Sequence, residues 1–343
     1  MAIIDKPSDY FNTKLYTGTG SELAITGVGF QPDWTWIKGI NVAYDHNLFD
    51  AVRGVTKTIK SNKTDAESTQ AQMLKSFNSD GFTIGTDGAV NENNTRTYAS
   101  WNWLANGAGS SNTNGSITST VSANTTSGFS IVKYTGTGSN ATVGHGLGSA
   151  SPKMILFKNT NSTRNWGVYH GSLSDPDNYL ALNTTGAETT GYNFSNDTRP
   201  TNSLFSVGNM TGNNGSSQEY IAYCFAEKTG YSKIGKYTGN GNADGTFVYT
   251  GFKPAWLMVF AYQAGNENWI MVDNKRDGFN VENEQLFPNT SGAEESNDEV
   301  DLLSNGFKLR RNNTRMNGSI PYIYMAFAEN PFVASNFVPT TAR

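Results

Sequence analysis

The sequence predicts an all-β fold: three tandem antiparallel β-sandwich modules of jelly-roll-like type. Three observations support this prediction: an uncharged polar composition, short strand-like runs separated by turn residues, and one set of landmarks that occurs three times. Charged residues make up only 16% of the 343 residues, whereas aromatic residues make up 12% and glycine occurs 36 times. Disordered chains are poor in aromatic residues, so this composition indicates hydrophobic cores. Glycine tolerates positive φ, which suits short strands joined by many turns.

Each repeat begins with the motif Tyr-Thr-Gly-x-Gly, at Tyr16, Tyr134 and Tyr237. A proline follows 16, 18 or 17 residues later, and a strongly apolar run follows the proline. Further along, each repeat contains a Phe-centred alternating run and closes on a tyrosine with an aromatic residue five positions later. The closing pairs are Tyr98 with Trp103, Tyr220 with Phe225, and Tyr322 with Phe327. Landmarks in one order with offsets this similar predict three copies of one module.

The repeats divide the chain into predicted units. These are module one at residues 1–106, module two at 128–227, module three at 231–332, and a C-terminal tail at 333–343. Residues 107–127 are rich in Gly, Ser, Thr and Asn, and we interpret them as a flexible linker. Proteolysis is therefore expected to cut first in this linker and to release module one from a fixed pair of modules two and three.

The apolar run after each proline is hydrophobic on both faces, as expected for a central strand that is covered on each side. The predicted core residues in these runs are Trp34, Trp36, Met154, Leu156, Trp256 and Met258. One helix is predicted at residues 65–77, because apolar residues including Met73, Leu74 and Phe77 recur there at helical spacing.

The sequence contains no established catalytic or metal-binding motif, and it predicts no catalytic, cofactor-binding or metal-binding residues and no cofactor. His46, His145 and His170 are not at metal-ligand spacing. The single cysteine, Cys224, lies in an apolar strand-like run, so we expect a buried hydrophobic side chain. The weak calcium-loop pattern that starts at Asn240 lacks the distal glutamate of an EF-hand loop.

Two sets of charged residues remain as candidates. Glycoside hydrolysis needs two carboxyl groups across a cleft, and the pairs considered are Glu284 with Asp298 and Glu92 with Asp87. We favour solvated loop charges for both pairs, because neither recurs between repeats. The motif Asp-x-x-Arg recurs at Asp50–Arg53 and at Asp273–Arg276, where we favour a structural ion pair over ligand binding.

The overall charge and hydropathy exclude two classes of partner. A net charge of −4 gives no field that would capture nucleic acid. No apolar run approaches the roughly 20 residues that a membrane-spanning helix needs. We therefore expect neither nucleic-acid binding nor membrane insertion.

Several stretches resemble a family of marine bacteriophage virion proteins, described as structural or tail-fibre-like. The stretches that carry the resemblance are residues 4–13, 29–33, 52–57, 144–148 and 322–332. The resemblance implies a location on a virus particle and no particular chemistry. The sequence shows no heptad or collagen-like shaft, which favours a compact accessory protein over a whole fibre.

These observations lead to an expected function. The protein is expected to be a non-enzymatic virion surface structural protein, of the capsid-decoration or tail-accessory and fibre-tip type, made in the host cytoplasm. The alternative is an adhesin that recognises host-surface glycans, and a polysaccharide depolymerase ranks third. Expected partners are other virion proteins, with host glycans as a further candidate. The protein is also expected to form a homo-oligomer, either a trimer or a lattice array.

Overall fold

The computed structural model describes residues 3–93, 95–336 and 338–340, without the side chain of Asp298. Strands make up 42% of the chain and helices 2%. The named strand pairings are all antiparallel. The prediction of an all-β antiparallel fold is therefore confirmed. Among the described residues, no helix is long and apolar enough to span a bilayer.

Segment one of the chain contains the first nine strands, a 3₁₀ helix at Pro7–Asp9 and a short helix α1 at Gly88–Asn91. Its larger sheet has the order β1-β9-β3-β4-β5-β6 and its smaller sheet the order β2-β8-β7. The strands are β1 (Phe11–Thr17), β2 (Leu23–Thr26), β3 (Trp34–Gly39), β4 (Asn47–Asp50), β5 (Lys57–Lys60), β6 (Ser68–Thr69), β7 (Leu74–Asn78), β8 (Gly81–Ile84) and β9 (Thr97–Trp103).

Segment two contains the next eight strands. Its larger sheet has the order β10-β11-β12-β17-β14-β15, and β13 pairs with β16. The strands are β10 (Ser110–Asn112), β11 (Ser119–Asn124), β12 (Phe129–Thr135), β13 (Ala141–Gly144), β14 (Met154–Asn159), β15 (Gly167–His170), β16 (Leu204–Val207) and β17 (Glu219–Phe225).

Segment three contains the last eight strands. Its larger sheet has the order β18-β25-β20-β21 and its smaller sheet the order β19-β24-β23-β22. The strands are β18 (Ser232–Thr238), β19 (Phe247–Tyr249), β20 (Phe252–Phe260), β21 (Ile270–Asp273), β22 (Glu282–Gln285), β23 (Glu295–Leu303), β24 (Gly306–Leu309) and β25 (Pro321–Pro331).

The structure corrects the interpretation of residues 107–127 as a flexible linker. Strand β11 pairs along its whole length with β12, from Ser119 opposite Tyr134 to Asn124 opposite Phe129. β10 extends the same sheet by one more strand. Ser, Thr and Asn are common in linkers, but β11 also carries the buried Val121 at 7% exposure. The polar composition therefore marks an outer part of a sheet and not a linker.

The predicted helix at residues 65–77 is also wrong. This stretch contains β6 and β7, and β7 forms a hairpin with β8 in which Phe77 lies opposite Phe82. A register shift between Leu74 and Ser76 marks a bulge. The apolar spacing resembled a helix because the bulge breaks the alternation of side chains that a regular strand would show.

In the larger sheet of each segment, the apolar strand that follows the proline is buried on both faces. In β14, Ile155 and Phe157 point towards the smaller sheet of the same segment, where they join a local core with Phe205 and Val207. Segments one and three have corresponding local cores around Phe82 and around Phe307. The opposite face of each larger sheet contributes to a single core that all three segments share. The six predicted core residues are all buried, as predicted, but they belong to this shared core and not to the separate cores of three sandwiches, where they were expected.

An aromatic cluster lies at the centre of the shared core. The Trp103 ring of segment one lies 4.3 Å from Trp34, 6.4 Å from Phe225 of segment two and 5.8 Å from Trp256 of segment three, measured between ring centroids. Phe327 of segment three lies 5.6 Å away. Segment one therefore packs against both other segments, which removes the basis for expecting proteolysis to release it.

Candidate functional site

Buried charged and polar side chains lie at the three surfaces where neighbouring segments meet. We call these surfaces the first seam (segments one and two), the second seam (two and three) and the third seam (three and one). The short stretch after the strand that follows β3, β14 or β20 supplies one side of a seam in each segment. These strands are β4, β15 and β21, and they end on Asp50, His170 and Asp273. The seams are the candidate functional site, because they hold the recurring Asp-x-x-Arg motif.

At the first seam, Asp50 and Arg53 form a buried ion pair. Arg53 Nε lies 2.5 Å from Asp50 Oδ2, and the two side chains are 1% and 0% exposed. The hydroxyl of Tyr223, from segment two, donates to the same Asp50 oxygen at 2.7 Å. Arg53 also pairs with Glu67 at 3.2 Å and donates to the carbonyl of Leu48 at 3.1 Å. The motif is structural, as the sequence favoured, and it also joins two segments.

The third seam repeats this arrangement with an indole in place of the phenol. Arg276 Nε lies 2.7 Å from Asp273 Oδ2, and Trp101 Nε1 of segment one donates to that oxygen at 3.1 Å. Glu294 takes the place of Glu67 and lies 2.8 Å from Arg276. Tyr223 and Trp101 occupy equivalent positions, three residues after the closing tyrosine of their repeats. Each aspartate is therefore matched by a hydrogen-bond donor from the next segment.

The second seam lacks the ion pair, and its partner residues change accordingly. His170 and Leu173 replace the aspartate and arginine, and Met325 stands where Tyr223 and Trp101 stand. His170 Nδ1 accepts from Ser172 N, so Nε2 carries the proton and donates to Tyr324 O at 3.4 Å. Met325, whose side chain has no hydrogen-bond donor, thus belongs to the second seam, which has no aspartate to accept one.

The glutamate of the second seam also changes its partners. Glu188 corresponds to Glu67 and Glu294, because the backbone N–H of each donates to a carbonyl of the next segment. The acceptors are Thr160 O for Glu67 at 2.9 Å, Tyr262 O for Glu188 at 2.7 Å and Ile40 O for Glu294 at 2.9 Å. With Leu173 at the position of the arginine, the Glu188 carboxylate accepts from Ser174 and from Asn178 instead.

These contacts run in one direction around the molecule, from segment one to two, two to three, and three to one. A second set of hydrogen bonds runs with them: Trp166 Nε1 donates to Lys60 O at 2.9 Å, and Trp269 Nε1 donates to Ala181 O at 3.1 Å. At the third seam, His46 stands at the position that Trp166 and Trp269 occupy in their repeats. The cyclic order of equivalent contacts closes the three segments into a ring.

The electrostatics of the seams follow from burial. Burial alone would lower the pKa of Arg53, but the carboxylates of Asp50 and Glu67 and the Tyr223 hydroxyl outweigh it and raise that pKa. The same balance raises the pKa of Arg276. At the second seam, burial lowers the pKa of His170 from 6.5 to about 4, so the imidazole is neutral at pH 7.

The Tyr-Thr-Gly-x-Gly motif forms a turn that a buried asparagine holds. Asn91 Oδ1 accepts from Thr19 N at 2.8 Å, and Asn91 Nδ2 donates to Ser21 O and Gly85 O. Asn214 and Asn317 make the equivalent bonds in segments two and three. Sequence reasoning missed this residue, although an asparagine stands seven, six and five residues before the three closing tyrosines.

The first glycine of the motif allows a close approach of two chain segments. A Cβ on Gly239 would lie 2.2 Å from Gly318 O, and one on Gly18 would lie 2.0 Å from Glu92 O. The second glycine adopts positive φ, for example +64° at Gly241. These constraints explain why both glycines recur, and they support the structural interpretation of the motif over phosphate binding.

The remaining candidates from the sequence lie apart from one another. His46 Nδ1 accepts from Trp36, and His145 Nδ1 accepts from Leu147 N. Cys224 is buried, and burial raises the pKa of its thiol. Among residues 3–93, 95–336 and 338–340, no three His, Cys, Asp or Glu residues form a group that could hold a metal ion.

The carboxylate candidates have local partners. Asp87 caps helix α1 by accepting from Ala89 N, and Glu92 accepts from the Tyr44 hydroxyl at 2.9 Å. Glu284 accepts from Ser296 Oγ at 2.9 Å. The side chain of its proposed partner, Asp298, lies outside the described residues.

The calcium-loop pattern is held by its own hydrogen bonds. Asn240 Oδ1 accepts from Asn242 N and from Asn317 Nδ2. Asp244 pairs with Lys308 at 2.7 Å. These contacts use the oxygens that a cation would need.

A family model described as Domain of unknown function (DUF7483) matches residues 6–331. The chain belongs to this family. The match spans all three segments and all three seams, so the ring is contained within one family domain. No significant match to the chain is found among curated proteins. None is found among solved structures either.

Replacing Arg276 with leucine is expected to destabilise the protein by about 3–5 kcal/mol, because Asp273 would be left buried without its partner. The triple variant Asp273→Asn, Arg276→Leu, Glu294→Gln removes the charges together and should be at least roughly 2 kcal/mol more stable than the single variant. Urea unfolding of both variants checks this. Equal stability of the single and triple variants would contradict the role given to the ion pair.

The low pKa of His170 predicts acid sensitivity. Its pKa is about 4 in the fold and 6.5 when unperturbed, so the unfolded chain binds more protons between these values and stability falls as pH falls. The slope contributed by one group reaches about 1.4 kcal/mol per pH unit. His170→Asn should lack this contribution. The measurement is the unfolding free energy of the wild type and of His170→Asn between pH 6.5 and 4. Equal slopes of unfolding free energy against pH for the two proteins would contradict this prediction.

Proposed function

We propose that this protein is a non-catalytic structural component of a bacteriophage-type virion surface. The observation that carries the proposal is the ring of three equivalent segments around one buried core. One chain thereby has the pseudo-threefold character that a homotrimer would otherwise supply. Such a molecule suits a threefold or quasi-equivalent position on a capsid or at a tail tip, where symmetric partners present three similar surfaces.

The surface chemistry supports a binding role. The sequence is rich in uncharged polar residues, and its charged fraction is 16%. Three related outer surfaces on one chain can engage three weak contacts together, which multiplies affinity by roughly 10²–10⁴ when the geometry fits. The buried polar groups at the seams bond neighbouring segments to each other, which is a structural role and supports a non-catalytic function.

Cryo-electron microscopy of purified phage particles that encode the chain tests this proposal. The expected result is density that fits the three-segment ring, at a capsid or tail position with local threefold or quasi-threefold symmetry. Particles that lack the chain altogether would contradict the proposal. Cleavage of host polysaccharide by the purified protein, abolished by a single carboxylate substitution, would replace it with the depolymerase alternative.

Exposed aromatic rings favour the adhesin as a second candidate. Tyr192 is 54% exposed and Phe279 is 79% exposed, and such rings can stack on sugars. A glycan array with the purified protein tests this function. Binding that Tyr192→Ala or Phe279→Ala removes would support the adhesin, and an array without signal for the wild type would count against it.

A further inference from the structure

Each segment has one equivalent strand at the edge of its smaller sheet, and the three edges differ. The strands are β2, β13 and β19, and each pairs on one side with the strand of the Phe-centred landmark. An open edge strand presents unpaired backbone groups that can pair with another chain. The residues that cover or flank each edge strand therefore indicate where the molecule can accept a partner strand.

The edge of β13 is covered by the molecule itself. Ile117 forms a parallel bridge with Val143, and its N–H donates to Thr142 O at 3.0 Å. Ser116 N donates to Thr142 Oγ1 at 2.9 Å. The stretch before β11 thus occupies the place of a further strand, which shows that this edge can hold one.

The edge of β2 carries small outward residues and flanking charges. Its outward positions are Ala24 and Thr26, both exposed. Glu22 precedes the strand and pairs with Lys75 at 2.6 Å. The ammonium group of Lys14 lies 2.9 Å from the position that a Cβ on Gly27 would take. Charges beside an edge strand, lysine above all, oppose pairing with another chain.

The edge of β19 is not covered by another part of the described chain, and the charges near it lie beside the strand: Lys308, which is the ladder partner of Phe247, pairs with Asp244 at 2.7 Å. The outward side chains are Phe247, 44% exposed, and Tyr249, 59% exposed, where β2 has alanine and threonine. Residues 245–252 contain no charged residue and no proline. Among the described residues, no further strand pairs with β19.

The backbone of β19 is in the right phase to accept a strand. Leu309 N donates to Thr246 O at 3.0 Å, and Val248 lies opposite Phe307 in the same ladder. Bonding groups alternate between the two sides of a strand, so the N–H and C=O groups of Phe247 and Tyr249 point away from β24. Two residues with free backbone groups therefore flank Val248 symmetrically.

We propose that two copies of this protein associate through β19, antiparallel about a twofold axis at Val248. Phe247 then lies opposite Tyr249 of the partner subunit, and each of these two pairs exchanges two backbone hydrogen bonds. The rings of each pair pack on the outer face as cross-strand aromatic neighbours. The two four-stranded sheets become one sheet of eight strands. Because the strand pairs with its own copy about a twofold axis, both copies use the same edge and association stops at a closed pair.

This inference concerns the purified protein in solution and is independent of the proposed virion role. Sedimentation equilibrium at roughly 1 to 100 μM should show a monomer–dimer equilibrium. The variant Phe247→Lys, Tyr249→Lys places ammonium groups opposite each other across the axis, so its dimer Kd should rise at least about tenfold. Mixing it with Phe247→Glu, Tyr249→Glu should restore dimers, because opposite charges then face each other.

The equivalent edge of segment one provides the matched control. Ala24→Lys, Thr26→Lys introduces the same charges at the same positions of β2 and should leave the dimer Kd unchanged. Unfolding temperatures of all variants report on the fold. A wild-type protein that stays monomeric, a β2 control as damaging as the β19 variant, or basic and acidic variants that fail to pair would each overturn the proposal.

Discussion

The structure depends on burying the aromatic cluster around Trp103, where side chains of all three segments meet. The larger sheet of each segment is hydrophobic on both faces, and its own smaller sheet covers only one of them. The second face must be covered by the other two segments, since exposed apolar patches of that size are unfavourable. All seven tryptophans are at most 1% exposed. The ring is thus a consequence of having two apolar faces in every repeat.

The seams determine the direction in which the three segments follow one another around the ring. Hydrophobic faces alone are interchangeable, but Asp50 requires the Tyr223 hydroxyl and Asp273 requires the Trp101 indole. At the second seam Met325 stands at the position of Tyr223 and Trp101, so an aspartate misplaced there would have no donor. We interpret the buried ion pairs as contributing to the specificity of the order more than to net stability, since desolvation offsets much of their attraction.

Much of the fold could be predicted from the sequence, because the repeat and the alternation of apolar residues are local signals. The apolar runs after the prolines, buried on both faces, followed directly from their composition. The linker at 107–127 and the helix at 65–77 were wrong, because pairing with β12 and a bulge beside Leu74 are tertiary effects. The Asp-x-x-Arg pairs were recognised as structural. Their partners Tyr223 and Trp101 were missed, because the sequence alone does not show that the segments form a ring.

Differential scanning calorimetry tests the central claim most directly. If the three segments share one core, they unfold together, and the calorimetric enthalpy should equal the van't Hoff enthalpy in a single transition. Trp103→Ala should shift that one transition without splitting it. Two or three separate transitions in the wild-type protein, or a calorimetric enthalpy two to three times the van't Hoff value, would show that the segments fold independently and would contradict the account.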